Sequence, residues 1–193
     1  MRRPALLAID MLRDFLDAWD PPVRQNLVDS INVLTTMMRA RQLPIIWVRQ
    51  EFEPDLSDAF REMKASGMRI TIKGTPGCEL LPELQVAPTD RVLIKKRYSA
   101  FFRTPLDQWL AELQVDALIL AGINTHACIR TTAIDGYQRD WEIILATDCI
   151  GSYDREHHEV SMRYMRDKIA AALTNAEIAA RLGVGKGELT AGG

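Results

Sequence analysis

The stretch "DALILAGINTHACIRTTAIDGYQRD" (116–140) decides the fold. Residues 116–122 form an apolar run closed by Gly122, and residues 125–140 have helical character. An apolar run of this length without alternation reads as a strand buried on both faces, which is the signature of a parallel sheet. A thiol, Cys128, sits where that strand hands over to a helix.

Working outward, the same alternation recurs. "ALLAID" (5–10), "PIIWVRQ" (44–50), "RVLIKK" (91–96) and "EIILATD" (142–148) read as further strands. "VRQNLVDSINVLTTMMRARQ" (23–42) has helical spacing, with Leu27, Ile31, Leu34 and Met38 on one face. "TPLDQWLAELQ" (104–114) is a helix with proline in its first turn. "DREHHEVSMRYMRDKIAAAL" (154–173) is a helix, and "TNAE" (174–177) has the form of a capping box opening another. "EFEPDLSDAFREMKASG" (51–67) is polar and irregular, a loop with one helical turn. Strands alternating with helices predict an α/β fold, a mostly parallel sheet with helices on both faces.

The 193 residues suit one core, so a single domain over 1–193 is expected. A formal charge of −2 gives no basis for binding nucleic acid. No run approaches the roughly 18 apolar residues of a membrane span. The start, "MRRPALLAIDMLRDF", is interrupted by Asp10 and Arg13 and reads as a first strand, so a cytoplasmic protein is expected. Three cysteines without a CxxC argue against a disulfide framework or a thiolate zinc site. No GxGxxG follows a strand, and "GVGKGE" lacks the context of a phosphate loop. The glycine-containing tail, "GVGKGELTAGG", is expected to fray.

In parallel sheets chemistry collects beyond the carboxyl ends of the strands. Asp10, Lys95 and the segment carrying Cys128 all lie there. A helix start favours an anion, so Cys128 is expected to have a lowered pKa. Asp10 is placed to take its proton, and Lys95 to hold Asp10 ionised and stabilise developing negative charge. His126 stands near the thiol in sequence but points to another side of the helix start. From spacing alone a bland reading competes evenly: a small core cysteine, a turn aspartate and a surface lysine.

Further segments tilt that balance. "LLAIDMLRDFL", "KKRYSAFFRTPLD", "AGINTHACIRTTAIDGYQRDWEIILATDC" and "REHHEVSM" appear in the order of, and resemble, the isochorismatase-like cysteine hydrolases. That superfamily includes nicotinamidases and amidohydrolases acting on N-carbamoylsarcosine, ureidoacrylate and biuret. The resemblance spans residues 5 to 173. It implies a three-layer α/β/α architecture with about six strands, a catalytic Asp10, Lys95 and Cys128, and a homo-oligomer, a dimer or tetramer. It also implies a cis Ile123–Asn124 peptide, with the Asn124 and Cys128 N–H groups as an oxyanion hole. The segment after the lysine borders the site in the family, so Tyr98, Phe101 and Phe102 are candidate pocket residues. Arg49, if turned inward, is a candidate for a substrate carboxylate or second carbonyl. Glu156 and His158 match a family "E-x-H" at a helix start and are read as capping and hydrogen-bonded structural residues, not catalytic ones.

The departures carry information too. The family's usual "DMQNDF" is "DMLRDF" here. The histidines that hold metal in nicotinamidases have no counterpart in "IIWVRQEFEPDLSDAF", so no metal and no cofactor are expected, and nicotinamide should be a poor substrate. Isochorismatases that cleave a vinyl ether lack the cysteine. The expected reaction is therefore hydrolysis of a C–N bond in a small, roughly planar amide or ureide bearing a polar or anionic group, through a thioester. The alternatives are cleavage of an ester or vinyl ether on the same fold, or a non-catalytic thiol redox or binding protein.

Overall fold

A computed structural model describes residues 3–183. Apart from Gly183, the tail expected to fray lies outside the described residues. Among the described residues six strands form one sheet: β1 (Pro4–Ile9), β2 (Ile45–Gln50), β3 (Arg91–Lys95), β4 (Ala117–Gly122), β5 (Glu142–Ile150) and β6 (Ala171–Leu173). Their spatial order is β3-β2-β1-β4-β5-β6, and every neighbouring pair is parallel. Successive strands run outward from β1 to one edge, and the chain then returns to β4 and runs to the other. The order reverses between β1 and β4, which is where open α/β sheets bind ligands.

Both faces of the sheet are covered, which is why β1 and β4 are buried along their whole length. Leu6 and Ala8 face helices α2 (Pro21–Ala40) and α7 (Asn175–Leu182). Leu7 and Ile9 face α4 (Leu106–Glu112), α5 (Arg130–Tyr137) and α6 (Arg155–Lys168). Two short helices, α1 (Arg13–Leu16) and α3 (Arg61–Ser66), lie on the connections after β1 and β2. A small separate cluster of Phe52, Leu56, Ala59, Met63 and Ile72 anchors the connection after β2. That connection, read from sequence as a polar loop with one helical turn, is therefore pinned by its own apolar residues.

Two boundaries differ from expectation. The helix expected over 154–173 stops at Lys168, and Ala171–Leu173 become the edge strand β6, paired with Ile144–Ala146. Alanine favours helix intrinsically, but the open edge of β5 supplies backbone partners that override the preference. The capping box at Thr174 and Glu177 forms as expected and opens α7. The helix expected over 125–140 is in two parts: a π-helical turn, Thr125–Ile129, and then α5.

Candidate active site

Three strand ends converge at the reversal point. Asp10 leaves β1 with φ 55, and its N–H donates to the Val48 carbonyl at 2.7 Å. Gln50 N–H donates to Asp10 Oδ1 at 2.8 Å, fixing the carboxylate between β1 and β2. Lys95 ends β3 and is in register with Gln50. Its side chain reaches past the end of β2 to meet the Asp10 side chain coming from β1. Lys95 Nζ lies 2.7 Å from Asp10 Oδ2 and 3.3 Å from Cys128 Sγ. It also donates to the Arg97 carbonyl at 3.2 Å. Lys95, Asp10 and Cys128 are 0%, 1% and 5% exposed, so a lysine that sequence alone would send to water is here a fully buried ion-pair partner.

Gly122 explains how β4 comes so close. It has φ 106, and a Cβ placed there would sit 2.0 Å from the Ile9 carbonyl oxygen. Only glycine allows β4 to pass beside β1 at this point. The chain then turns through a cis Ile123–Asn124 peptide, as the resemblance implied, into the π-helical turn that carries Cys128. His158 Nδ1 meets Thr125 Oγ1 at 2.8 Å, and Thr125 also donates to the Gly151 carbonyl at 2.9 Å, so α6 steadies the start of this turn. Asp154, not Glu156, caps α6, through the His157 N–H.

The electrostatics reverse one expectation. Burial, followed by the negative charge of Asp10, pushes the Cys128 thiol up to about 12, although Lys95 pulls the other way. The cysteine does not rest as the activated thiolate that its place at a helix start suggested. Burial also opposes the Lys95 charge, yet Asp10 and then Cys128 raise the lysine above its ordinary value. The resting site is thus a carboxylate–ammonium pair beside a neutral thiol.

Above the three residues opens a cavity of about 670 Å³. Asp10, Asn124 and Cys128 form its floor together with Gln50. Its walls come from α1 and the residues after it (Asp14, Phe15, Trp19) and from the connection after β2 (Phe60, Met63, Met68, Ile70). Tyr98, His126 and Tyr153 complete it. Tyr98 lies on this wall, its ring tilted by 42° against that of Phe60 with centroids 5.2 Å apart. The other three candidate pocket residues lie elsewhere. Phe101 is buried in the core under α4 and α5, with Arg139 over its ring. Phe102 is exposed and carries Arg103 over its ring, off the cavity wall. Arg49 is engaged by Glu51 at 2.7 Å and is likewise off the wall, so the proposed carboxylate anchor is not in place.

The pocket residues that sequence reasoning missed are Gln50 and the aromatic and methionine wall. Phe15 lies in α1 and Trp19 in the turn after it, so the aromatics of "DFLDAW" reach the wall through the chain's course after the helix and not through helical spacing. Phe60 and Met63 sit in the segment dismissed for its polar composition. Among the described residues no group of histidine, cysteine, aspartate and glutamate is arranged to hold a metal ion.

Comparison with known proteins agrees with this architecture. Residues 4–177 match the Isochorismatase domain. The chain is 27% identical over 179 residues to enterobactin synthase component B of Escherichia coli, covering 92% of this chain but only 62% of that protein's length. An isochorismatase family protein from Desulfovibrio vulgaris superposes with a TM-score of 0.87 at 28% identity, covering 95% of this chain and all of that one (100%). The N-carbamoylsarcosine amidase of Thermoplasma acidophilum superposes with a TM-score of 0.76 at 27% identity, covering 91% of this chain and 98% of the other. With the whole described sheet and its strand-end site inside the matched region, the chain belongs to the isochorismatase family of hydrolases.

Proposed function

We propose that this protein hydrolyses a C–N bond in small amides or ureides, with Cys128 as nucleophile. The observation that carries the reading is the buried ammonium of Lys95, 2.7 Å from Asp10 and 3.3 Å from Cys128 on the floor of an open cavity. A lone core cysteine needs no such partners. Asp10 Oδ2 faces Lys95 and has no other hydrogen-bond partner, which leaves it a lone pair for a proton.

The reaction runs in two halves. Asp10 takes the Cys128 proton as the sulfur bonds to the substrate carbonyl carbon. The negative charge moves to the carbonyl oxygen, where the Asn124 and Cys128 N–H groups receive it. The C–N bond breaks, and Asp10 returns the proton to the departing amine or ammonia. Asp10 then draws a proton from water, whose oxygen attacks the thioester. The acid leaves and the thiol is restored. Because the thiol is neutral at rest, proton transfer and attack are coupled, and Asp10 acts as general base rather than as a bystander to a preformed thiolate.

The amidase activity named for the Thermoplasma protein supports the C–N reading. The test is ammonia release across amides, ureides and carbamoyl compounds, with Cys128→Ala as control. Hydrolysis of esters or vinyl ethers without any ammonia-releasing substrate would favour the rival bond class. Reversible oxidation of Cys128 in a protein that turns nothing over would favour the redox reading. We also propose one domain over 1–193, a homo-oligomer and a cytoplasmic location. The three cysteines are unpaired, which fits a reducing compartment. Limited proteolysis, light scattering and cell fractionation test these in turn. No helix among the described residues is long and apolar enough to cross a membrane.

A further inference from the structure

The cavity has a charge bias that the sequence did not reveal. Its wall is apolar over Phe15, Trp19, Phe60, Met63, Tyr98 and Tyr153. Beyond Asp10, its charged side chains are Glu62 and Asp14, both acidic, Asp14 Oδ2 accepting from the Thr71 N–H at 2.6 Å, and no lysine or arginine among the described residues lines it. Lys95 is fully buried against Asp10 and Cys128 and is spent on them. Arg97 lies 4.8 Å over the Phe60 ring, but Nη1 is held by the carbonyls of Asp58 and Lys96, off the wall. His126 is on the wall; burial and then the charge of His157 lower its pKa, so it brings no cation at neutral pH.

The polar groups left for a ligand are uncharged. Gln50 is 4% exposed, and its Nε2 lacks a hydrogen-bond partner. Asn124 Oδ1 is buried and also lacks one. Both residues line the floor beside Asp10 and Cys128. A donor and an acceptor in this state fit a neutral primary amide, whose carbonyl oxygen would accept from Gln50 and whose N–H would donate to Asn124. The volume of about 670 Å³ falls within the roughly 300–1,000 Å³ of small-molecule pockets. It holds more than the compact ureide that the sequence suggested.

We propose that this site takes amides whose acyl group is apolar and uncharged, and that Asp14 and Glu62 turn away substrates bearing a carboxylate. The proposal rests on the amidase reading above and narrows it. A cleft lined by charges of one sign, with low-dielectric walls, focuses their field on whatever enters. An anionic substrate meets two like charges and no compensating cation. A neutral aromatic or branched acyl group loses nothing to them and gains contact with the apolar wall.

Two measurements test this. The first is kcat/KM for phenylacetamide, its para-carboxy derivative and its para-aminomethyl derivative, read as ammonia. The carboxylate should be at least about tenfold worse than the parent, as like-charge juxtaposition in a confined site predicts. The aminomethyl compound should match or exceed the parent. The second measurement needs no turnover: the rates at which iodoacetamide and iodoacetate alkylate Cys128, as a ratio, against the same ratio for mercaptoethanol. Cys128 should discriminate against iodoacetate more than the free thiol does. The double variant Asp14→Asn, Glu62→Gln should narrow both gaps. Glu62→Gln alone, on an exposed helix face, should narrow them part of the way if the double variant does not fold. The proposal is overturned if the carboxylate is hydrolysed as well as the parent. It is equally overturned if Cys128 takes iodoacetate as readily as mercaptoethanol does. If no amide turns over while iodoacetate is still disfavoured, the amidase reading falls and the charge selection stands.

Discussion

Alkylation of Cys128 by iodoacetamide should keep accelerating with pH well beyond the ordinary thiol range. The structure sets two effects against each other here. A helix start favours a thiolate by about 0.3–1 kcal/mol, and about 2 kcal/mol in a buried geometry. Lys95, 3.3 Å from the sulfur, works in the same direction. Burial and the Asp10 charge oppose them, and the balance moves the thiol from 9.0 up to about 12. At about 1.36 kcal/mol per pH unit, that is a net penalty of roughly 4 kcal/mol on the thiolate. The dipole is too small to win. At a given pH the thiolate population is about a thousandfold below that of an unperturbed cysteine. Intact-mass kinetics on a Cys78→Ala, Cys149→Ala protein isolate the one site. The rate should rise about tenfold per pH unit with no plateau until the protein itself unfolds. A plateau below pH about 9 would show a preformed thiolate and refute the reasoning. The same shift has a stability consequence. Above 9.0 an unfolded chain loses the proton that the native state keeps, so the unfolded state binds fewer protons and stability falls as pH rises. The contribution is intact below the ordinary 9.0 and is lost progressively toward about 12. Cys128→Ala should therefore flatten the alkaline limb of a urea-midpoint profile.

The other predictions bear on single residues. Cys128→Ala should lower ammonia release by at least about a thousandfold with unchanged circular dichroism, whereas Cys78→Ala and Cys149→Ala should retain activity; full activity in Cys128→Ala refutes the mechanism. Lys95→Met strands the buried Asp10 carboxylate, which is 1% exposed, and should cost about 3–5 kcal/mol in urea unfolding; a loss below about 1 kcal/mol would mean that the ion pair is not what holds the strand ends together. Gly122→Ala forces a Cβ to within 2.0 Å of the Ile9 carbonyl at φ 106 and should cost more than about 3 kcal/mol. Gly74→Ala, at φ 79 with nothing within 4 Å, should cost about 1 kcal/mol; equal effects of the two substitutions would count against the close approach of β1 and β4. Exhaustive chelation should leave activity intact, because the segment after β2 contains no histidine; loss of activity with rescue by added zinc, manganese or iron would contradict this.

The sequence by itself determined the layers and the address of the chemistry. Apolar runs such as "ALLAID" and "DALILAG" cannot face water on either side, so a parallel sheet under two helical layers follows from composition and period alone. Asp10, Lys95 and Cys128 were legible as strand-end residues, and the family motifs linked them. What each does at that address was not legible, because it depends on distances across the sheet. Lys95 looks solvent-facing in "RVLIKK"; only the order β3-β2-β1 turns its side chain into a buried bridge to Asp10. Cys128 at a helix start implied an activated thiol; only its 5% exposure and the neighbouring carboxylate show that desolvation outweighs the dipole. Phe101 and Phe102 are adjacent aromatics that composition cannot tell apart, yet one packs in the core and the other lies on the surface. Arg49 was a free cation in sequence and an ion-pair partner of Glu51 in space. Periodicity reports which face of an element is apolar, but charge, burial and pocket lining arise between elements distant in the chain, and only the packed sheet brings those together.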